Sequence, residues 1–225
     1  VKANGTLHGL SGVSVSHATV SFRSPASGKK TKALVQEGPL LITHHGLSGP
    51  AALRLSAFGA RELNKVNYRG QLSVHWAPEL GTVDMIFDKL WQTTTLSPKK
   101  TVATSCPLSL STGSNAIPRR LWSALSIAAG FTPDQTWGTA PKKLTRKLAS
   151  FVAEYPVELT GKGTFKEEFV TAGGISLKEF NMKTMESKCC PGLFACGEVL
   201  DVDGVTGGYN FMNCWGTGHL AGASA

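Results

Sequence analysis

The apolar residues change period twice along the chain, and this constrains the fold more than any other feature. Val13 and Val15 alternate with serines, and Val20 and Phe22 resume the alternation after a break near His17. A two-residue period marks a half-buried strand, and the slip in phase is what a β-bulge produces. Ala33–Val35 and Leu40–Thr43 read as strands separated by a turn at Glu37-Gly38-Pro39, after a turn-rich basic loop at Ser24–Lys30. Ser48 or Gly49 then caps a helix with Pro50 in its first turn, a face of Ala52, Leu55, Phe58 and Leu63, and a stop at Asn64. Leu72, Val74 and Trp76 alternate in a strand that Pro78 ends.

From Val83 the spacing becomes helical. Val83, Ile86, Phe87, Leu90 and Trp91 make one face, and Ser97-Pro98 is expected to open another helix. Pro118 starts a third with Leu121, Trp122, Leu125 and Ala129 inward and Gly130 past its end. Pro141 starts a fourth, with Leu144, Leu148, Phe151, Val152 and Tyr155 on one side, which Pro156 stops. Val157 and Leu159 then restore the strand pattern, Gly161-Lys162-Gly163 turns, and Phe165–Val170 runs on. A helical module over 80–155 inserted between β segments follows from this order.

The 225 residues suffice for one large or two modest domains. A formal charge of +8 suits an anionic partner or a cofactor phosphate. The bases are scattered, however. No aromatic residue interleaves within the basic runs Lys99-Lys100, Arg119-Arg120 and Lys142, Lys143, Arg146 and Lys147, which argues for a solvated helical face and against nucleic acid. Five cysteines, Cys106, Cys189, Cys190, Cys196 and Cys214, lack the spacing of a zinc site and fit reduced intracellular thiols better than a redox or metal cluster. No stretch approaches ~18 consecutive apolar residues, so no membrane span is expected. The expected location is intracellular, cytoplasmic or organellar, with any targeting segment preceding Val1.

Chemistry concentrates near the end of the chain. Leu193–Cys196 is a short apolar run that reads as a buried strand ending on Gly197-Glu198, and Gly207-Gly208 follows in a glycine-punctuated loop. Strand, acid, glycine-rich turn and helix start compose a nucleotide crevice in an open α/β sheet, and they also compose an ordinary strand–turn–helix. Gly173-Gly174 forms a second glycine pair, while Asp201 and Asp203 read as turn residues. Gly216, Gly218 and Ala221 match the dinucleotide fingerprint formally but lack a βαβ unit, and the two glycines are expected to serve close helix packing. No GxSxG, HExxH or P-loop is present. No catalytic acid or base is assigned, and no metal site.

The segments Thr171-Ala172-Gly173-Gly174-Ile175, Thr184–Lys188, Pro191–Gly204 and Thr206-Gly207-Gly208-Tyr209-Asn210 closely resemble the BaiN/YhiN-type NAD(P)/FAD-dependent oxidoreductases, as do Leu7–Gly12 and Thr43–Pro50 upstream. The resemblance implies a mixed α+β fold. A β-barrel-like domain (1–78 and 156–174) carries a small helical insert (79–155), and the C-terminal part of an FAD-binding Rossmann-like domain (175–225) comes after it. It implies FAD as cofactor and NAD(P)H as electron donor to an unknown small-molecule substrate. Gly197 and Glu198 would meet the ribityl–pyrophosphate region, Gly207, Gly208, Tyr209 and Asn210 the flavin pyrimidine edge, and Gly173 and Gly174 the flavin ring. The family's N-terminal strand–GxGxxG–helix is not found in 1–225, so that FAD-binding half is expected as a missing partner. The alternative is a non-catalytic scaffold using the basic helical insert against an acidic partner or nucleic acid.

Overall fold

A computed structural model describes residues 7–23, 33–109, 116–161, 171–205 and 207–225. The expected loop at Ser24–Lys30, the turn residues Lys162 and Gly163, the Phe165–Val170 run and Thr206 lie outside the described residues. The chain divides into two compact units, Val1–Thr164 and Phe165–Ala225.

The first unit holds a five-stranded antiparallel sheet of β1 (Ser14–Phe22), β2 (Leu34–Thr43), β3 (Gly46–Ser48), β4 (Arg69–His75) and β5 (Tyr155–Thr160), in the order β3-β2-β1-β4-β5. The expected bulge is present. Val15 pairs with Leu40 and Ala18 with Gly38, so Ser16 and His17 together face Pro39. The extra residue returns the apolar side chains to the core face after the slip: Val13 and Val15 before it, Ala18, Val20 and Phe22 after it, are all buried. The expected turn at Glu37-Gly38-Pro39 is not there, because β2 runs straight through it. Pro39 has no N–H to donate, and its place opposite the bulge is where the ladder is already interrupted.

After β3 the chain enters α1 (Pro50–Phe58), capped at Gly49, and then α2 (Ala60–Lys65). These are two short helices rather than the single one expected, with the break at Gly59. Gly49 has φ +94°, and a Cβ there would stand 2.9 Å from the Pro39 carbonyl oxygen and 3.3 Å from the Leu40 Cα. Only glycine lets the start of α1 approach β2 this closely.

Helices α3 (Val83–Leu96), α4 (Arg119–Ala129) and α5 (Lys142–Ala153) form the inserted module. Thr82 caps α3 by accepting the Met85 N–H, and α4 ends at Gly130 in the left-handed region, φ +112°. The helix expected at Ser97-Pro98 is instead a turn, followed by a lone bridge from Thr101 to Thr136. Two buried indoles hold the 102–108 segment in place of that helix. Trp122 Nε1–H donates to the Val102 carbonyl at 2.7 Å, and Trp137 Nε1–H to that of Ser105 at 3.3 Å. Leu121, Leu125, Leu148, Val152 and Trp137 join Val20, Ile42, Val74 and Trp76 in one core that the sheet and helices share.

The second unit has little regular structure among its described residues before α6 (Tyr209–Ser224). Single bridges link Phe180 to Ser187, Glu186 to Phe194 and Ile175 to Leu200 around a small core of Phe180, Met185, Leu200 and Ala221.

Candidate functional site: the glycine-rich second unit

The run Leu193–Cys196, expected as a buried strand, is not one. It carries one bridge, at Phe194, and Leu193 is 52% exposed. An apolar tetrapeptide becomes a strand only against a ladder of neighbours, and the described residues supply a single rung.

The two glycine clusters nevertheless come together. Ile175 N–H donates to the Val199 carbonyl at 2.8 Å, and Asp201 N–H returns to the Ile175 carbonyl at 2.9 Å, a parallel bridge that lays 173–175 along 199–201. Gly174 sits so close that a Cβ would be 2.5 Å from the Leu200 carbonyl carbon and 2.6 Å from the Val199 oxygen. Gly173 has φ +96°, and its N–H donates to Asp203 Oδ1 at 3.0 Å. Gly173, Gly174, Gly197 and Glu198 therefore lie in one assembly, with Glu198 exposed.

Helix α6 is pinned to it from the other side. Thr217 Oγ1 accepts the Gly197 N–H at 2.9 Å, and Asn213 Nδ2–H donates to the Gly197 carbonyl at 3.3 Å. Asn210, expected at a flavin edge, uses its side-chain amide to clamp the loop. Its Oδ1 accepts the Gly204 N–H at 2.9 Å, and its Nδ2–H reaches the Gly204 carbonyl at 3.4 Å. Gly208 caps α6 in the left-handed region, φ +100°, and among the described residues no side chain caps that end. None of them lies within 4 Å of a Cβ placed on Gly207 or Gly208. A 16-residue helix thus begins with bare N–H groups and open space before them, which suits a polar or anionic ligand edge.

Three of the holding residues, Asp203, Asn213 and Thr217, were not singled out for this work from the sequence. The available signal was the i, i+4 spacing of Asn213 and Thr217, which puts both on one side of α6. Gly216 and Gly218, expected to serve close helix packing, lie in the middle of α6. Gly216 has no neighbour within 4 Å of a Cβ position and Gly218 only the Cys196 Sγ at 3.9 Å, so the packing is not seen among the described residues.

Among the described residues the cysteines form no bonded cluster. Cys189, Cys190 and Cys196 are exposed and free, and Cys189 Sγ–H donates to Glu179 Oε2 at 3.0 Å. That carboxylate, through its hydrogen bond and its charge, raises the Cys189 thiol above its ordinary range. Among the described residues no group of three His, Cys, Asp or Glu side chains could hold a metal ion. Among them, too, no helix is long and apolar enough to cross a membrane.

A curled antiparallel half-barrel sheet carrying a helical insert, together with a glycine-rich unit, places the chain among mixed α/β proteins of barrel-and-helix type. Residues 2–170 match the HI0933-like protein barrel and H2TH domain, and the chain belongs to that family, which is related to flavoprotein oxidoreductases such as BaiN and YhiN. It is 30% identical over 191 residues to a ribosomal RNA dihydrouridine synthase of Haemophilus influenzae, an alignment covering 82% of this chain and 41% of that protein. The Escherichia coli protein of the same name is 30% identical over 177 residues, covering 78% and 39%. A 3-dehydro-bile acid delta(4,6)-reductase of Clostridium scindens is 46% identical over 61 residues, 27% of this chain and 15% of that protein. The chain spans about two fifths of the length of the first two relatives.

Proposed function

We propose that this chain supplies the barrel (1–78 and 156–174), the helical insert (79–155) and the flavin-facing segment (175–225) of an FAD-dependent reductase. The enzyme takes hydride from NAD(P)H and saturates a ring C=C bond conjugated to a carbonyl. One observation carries the reading: Gly173-Gly174, Gly197-Glu198 and the uncapped start of α6 meet in one assembly, with open space at Gly207-Gly208. FAD, when bound, would supply the two-electron relay between donor and substrate. This chain's residues hold and polarise. Glu198 is an exposed carboxylate that would accept from a ribityl or ribose hydroxyl, and the first N–H groups of α6 would meet the flavin where negative charge grows on reduction.

The names of the relatives support the substrate class. Dihydrouridine formation and a delta(4,6)-reduction both add hydride to one carbon of a conjugated double bond and a proton to its neighbour. The dihydrouridine synthases align with about four fifths of this chain and the bile acid reductase with about a quarter, which favours a uracil ring in RNA as substrate.

The phosphate-gripping strand–GxGxxG–helix would lie in the rest of a polypeptide of the relatives' length. Tyr209, Phe211, Met212 and Trp215 are 61–71% exposed along α6, an apolar surface that such a remainder would cover. The test is to purify the polypeptide extended to that length, record flavin absorbance, reduce it anaerobically with NADPH or NADH, and follow reoxidation by uridine-containing RNA or a steroid enone. Bleaching by the nucleotide and recovery on adding RNA are expected. A folded, colourless protein would refute the proposal, and recovery with the enone alone would overturn the choice of RNA.

A further inference from the structure

The helical insert concentrates charge. Residues 83–155 hold nine Lys and Arg against four Asp and Glu, an excess of five within a net +8 for the whole chain. No aromatic residue falls within the basic run Lys142–Lys147 of α5, but folding brings two from α3 against it. Phe87 and Trp91, one turn apart, stack with centroids 6.0 Å apart. Each ring is covered by a cation from α5. Lys142 Nζ is 6.0 Å from the Trp91 centroid, and the Arg146 guanidinium is 5.2 Å from that of Phe87. The pairs differ in what they leave available. Phe87 is buried, and Arg146 is spent on Asp84 Oδ1 at 2.5 Å. Trp91 is 38% exposed, with Lys142 beside it and Lys143 next in the chain, both exposed.

Two backbone bonds bring further charge to the same end of α5. Gly138 N–H donates to the Pro98 carbonyl at 2.9 Å and Trp137 N–H to the Lys100 carbonyl at 3.0 Å. They tie the turn bearing exposed Lys99 and Lys100 to the segment that leads into Lys142. Asp88, one turn from Asp84 and three residues before Trp91, is the carboxylate on this side of α3 that no ion pair among the described residues occupies. The exposed indole therefore has Lys142 against it, with Lys99, Lys100 and Lys143 exposed at the same end of the insert, Lys143 on the side of α5 whose groove also holds Glu154. An acidic protein would use the cations and leave the indole idle. A polynucleotide uses both, with phosphates on the lysines and an unstacked base on the ring.

We propose that the α3–α5 face, through Trp91, Lys142, Lys143, Lys99 and Lys100, binds single-stranded RNA. The choice of RNA over DNA rests on the function proposed above; the grip itself needs neither flavin nor reduction, so the two fail separately. The test is fluorescence anisotropy of the 225-residue chain with a labelled uridine-rich RNA, and its DNA counterpart, across a salt series. Four phosphate contacts give a slope near −3 in log affinity against log salt, or about 50-fold weaker binding between ~50 and ~200 mM. K142A/K143A should roughly halve that slope, and W91A should weaken binding about tenfold. Trp76, Trp122 and Trp137 are buried and Trp215 is the other exposed tryptophan. Quenching of tryptophan emission by RNA should therefore vanish in W91F, a variant that keeps the ring stack and the helix by circular dichroism. Four results would each overturn the proposal: an unchanged slope in K142A/K143A, quenching that persists in W91F, polyglutamate competing as well as RNA, or DNA binding as tightly as RNA.

Discussion

Two adjacent glycines should respond very differently to a methyl group. In Gly174→Ala the new Cβ would stand 2.5–2.6 Å from the Leu200 carbonyl carbon and oxygen and the Val199 oxygen, all backbone atoms with no rotamer to give way. Relief requires 173–175 to separate from 199–201, which breaks the Ile175 N–H to Val199 and Asp201 N–H to Ile175 bonds. Overpacking costs about 1–3 kcal/mol and each of the two lost backbone bonds about 0.5–1.5 kcal/mol, so about 2–6 kcal/mol locally. Gly173→Ala meets nothing within 4 Å among the described residues and suffers only a left-handed backbone at φ +96°, about 1–2 kcal/mol. Amide hydrogen exchange resolves the difference. The Ile175 and Asp201 amides should exchange at least about thirtyfold faster in Gly174→Ala, or reach the unprotected rate, and change several-fold less in Gly173→Ala. Amides of the β4–β5 ladder in the first unit should be unaffected by either. Equal effects, or unaltered protection of Ile175 and Asp201 in Gly174→Ala, would refute the claim that this close approach assembles the site.

Three further outcomes are expected. Trp122→Phe strands the Val102 carbonyl that the indole N–H satisfies at 2.7 Å and opens a small void, for about 2–4 kcal/mol by denaturant unfolding. His75 is half-buried, with Nε2–H donating to the Gly81 carbonyl and Nδ1 accepting the Ala77 N–H. Desolvation lowers its pKa below the ordinary 6.5, against smaller opposing effects of the Gly81 hydrogen bond and Glu154. The unfolded chain then binds the proton more readily, so this residue's contribution is full above pH 6.5 and lost as pH falls through the folded value; His75→Asn should flatten that part of a melting-temperature profile. Burial pushes the Cys106 thiol up to about 12, so alkylation near pH ~8 followed by peptide mapping should mark exposed Cys190 and Cys196 well before Cys106.

Legibility in the sequence tracked how local the determining physics is. The bulge in β1 was readable because one extra residue shifts the apolar phase from Val13 and Val15 to Ala18, Val20 and Phe22. Helix α4 was readable from Pro118 at one end and Gly130 at the other. The errors fall where distant partners decide. Glu37-Gly38-Pro39 carries turn chemistry, yet it is strand because the irregularity lies across the ladder at Ser16 and His17. Ser97-Pro98 resembles a helix start, yet the 102–108 segment after it is organised by buried indoles that stand 20 and 32 residues beyond the carbonyls they bind. Leu193–Cys196 has strand composition without the neighbours a strand needs. Of the site, the glycines were legible as types, but the side chains that hold them, Asp203, Asn213 and Thr217, act across 16–30 residues.

Helix α6 shows most plainly how composition and fold constrain each other. Its interior carries Gly216, Gly218 and Gly222, each about 1 kcal/mol less favourable than alanine, and buries only Ala221 among its side chains. Local propensity does not account for such a helix, and neither does the small core it meets through Leu200 and Ala221. What holds it in the described structure is polar: Asn210 on Gly204, and Asn213 and Thr217 on Gly197. Those bonds fix its register against the glycine loop while its aromatic side chains stay open. Under the proposed function the division has a physical rationale. The polar pins set the direction in which the first N–H groups of α6 point, and the apolar surface supplies its stabilisation when the rest of a longer flavoprotein packs on it. Deleting a pin would then disturb cofactor affinity more than folding, whereas placing a charge at Trp215 would do the reverse.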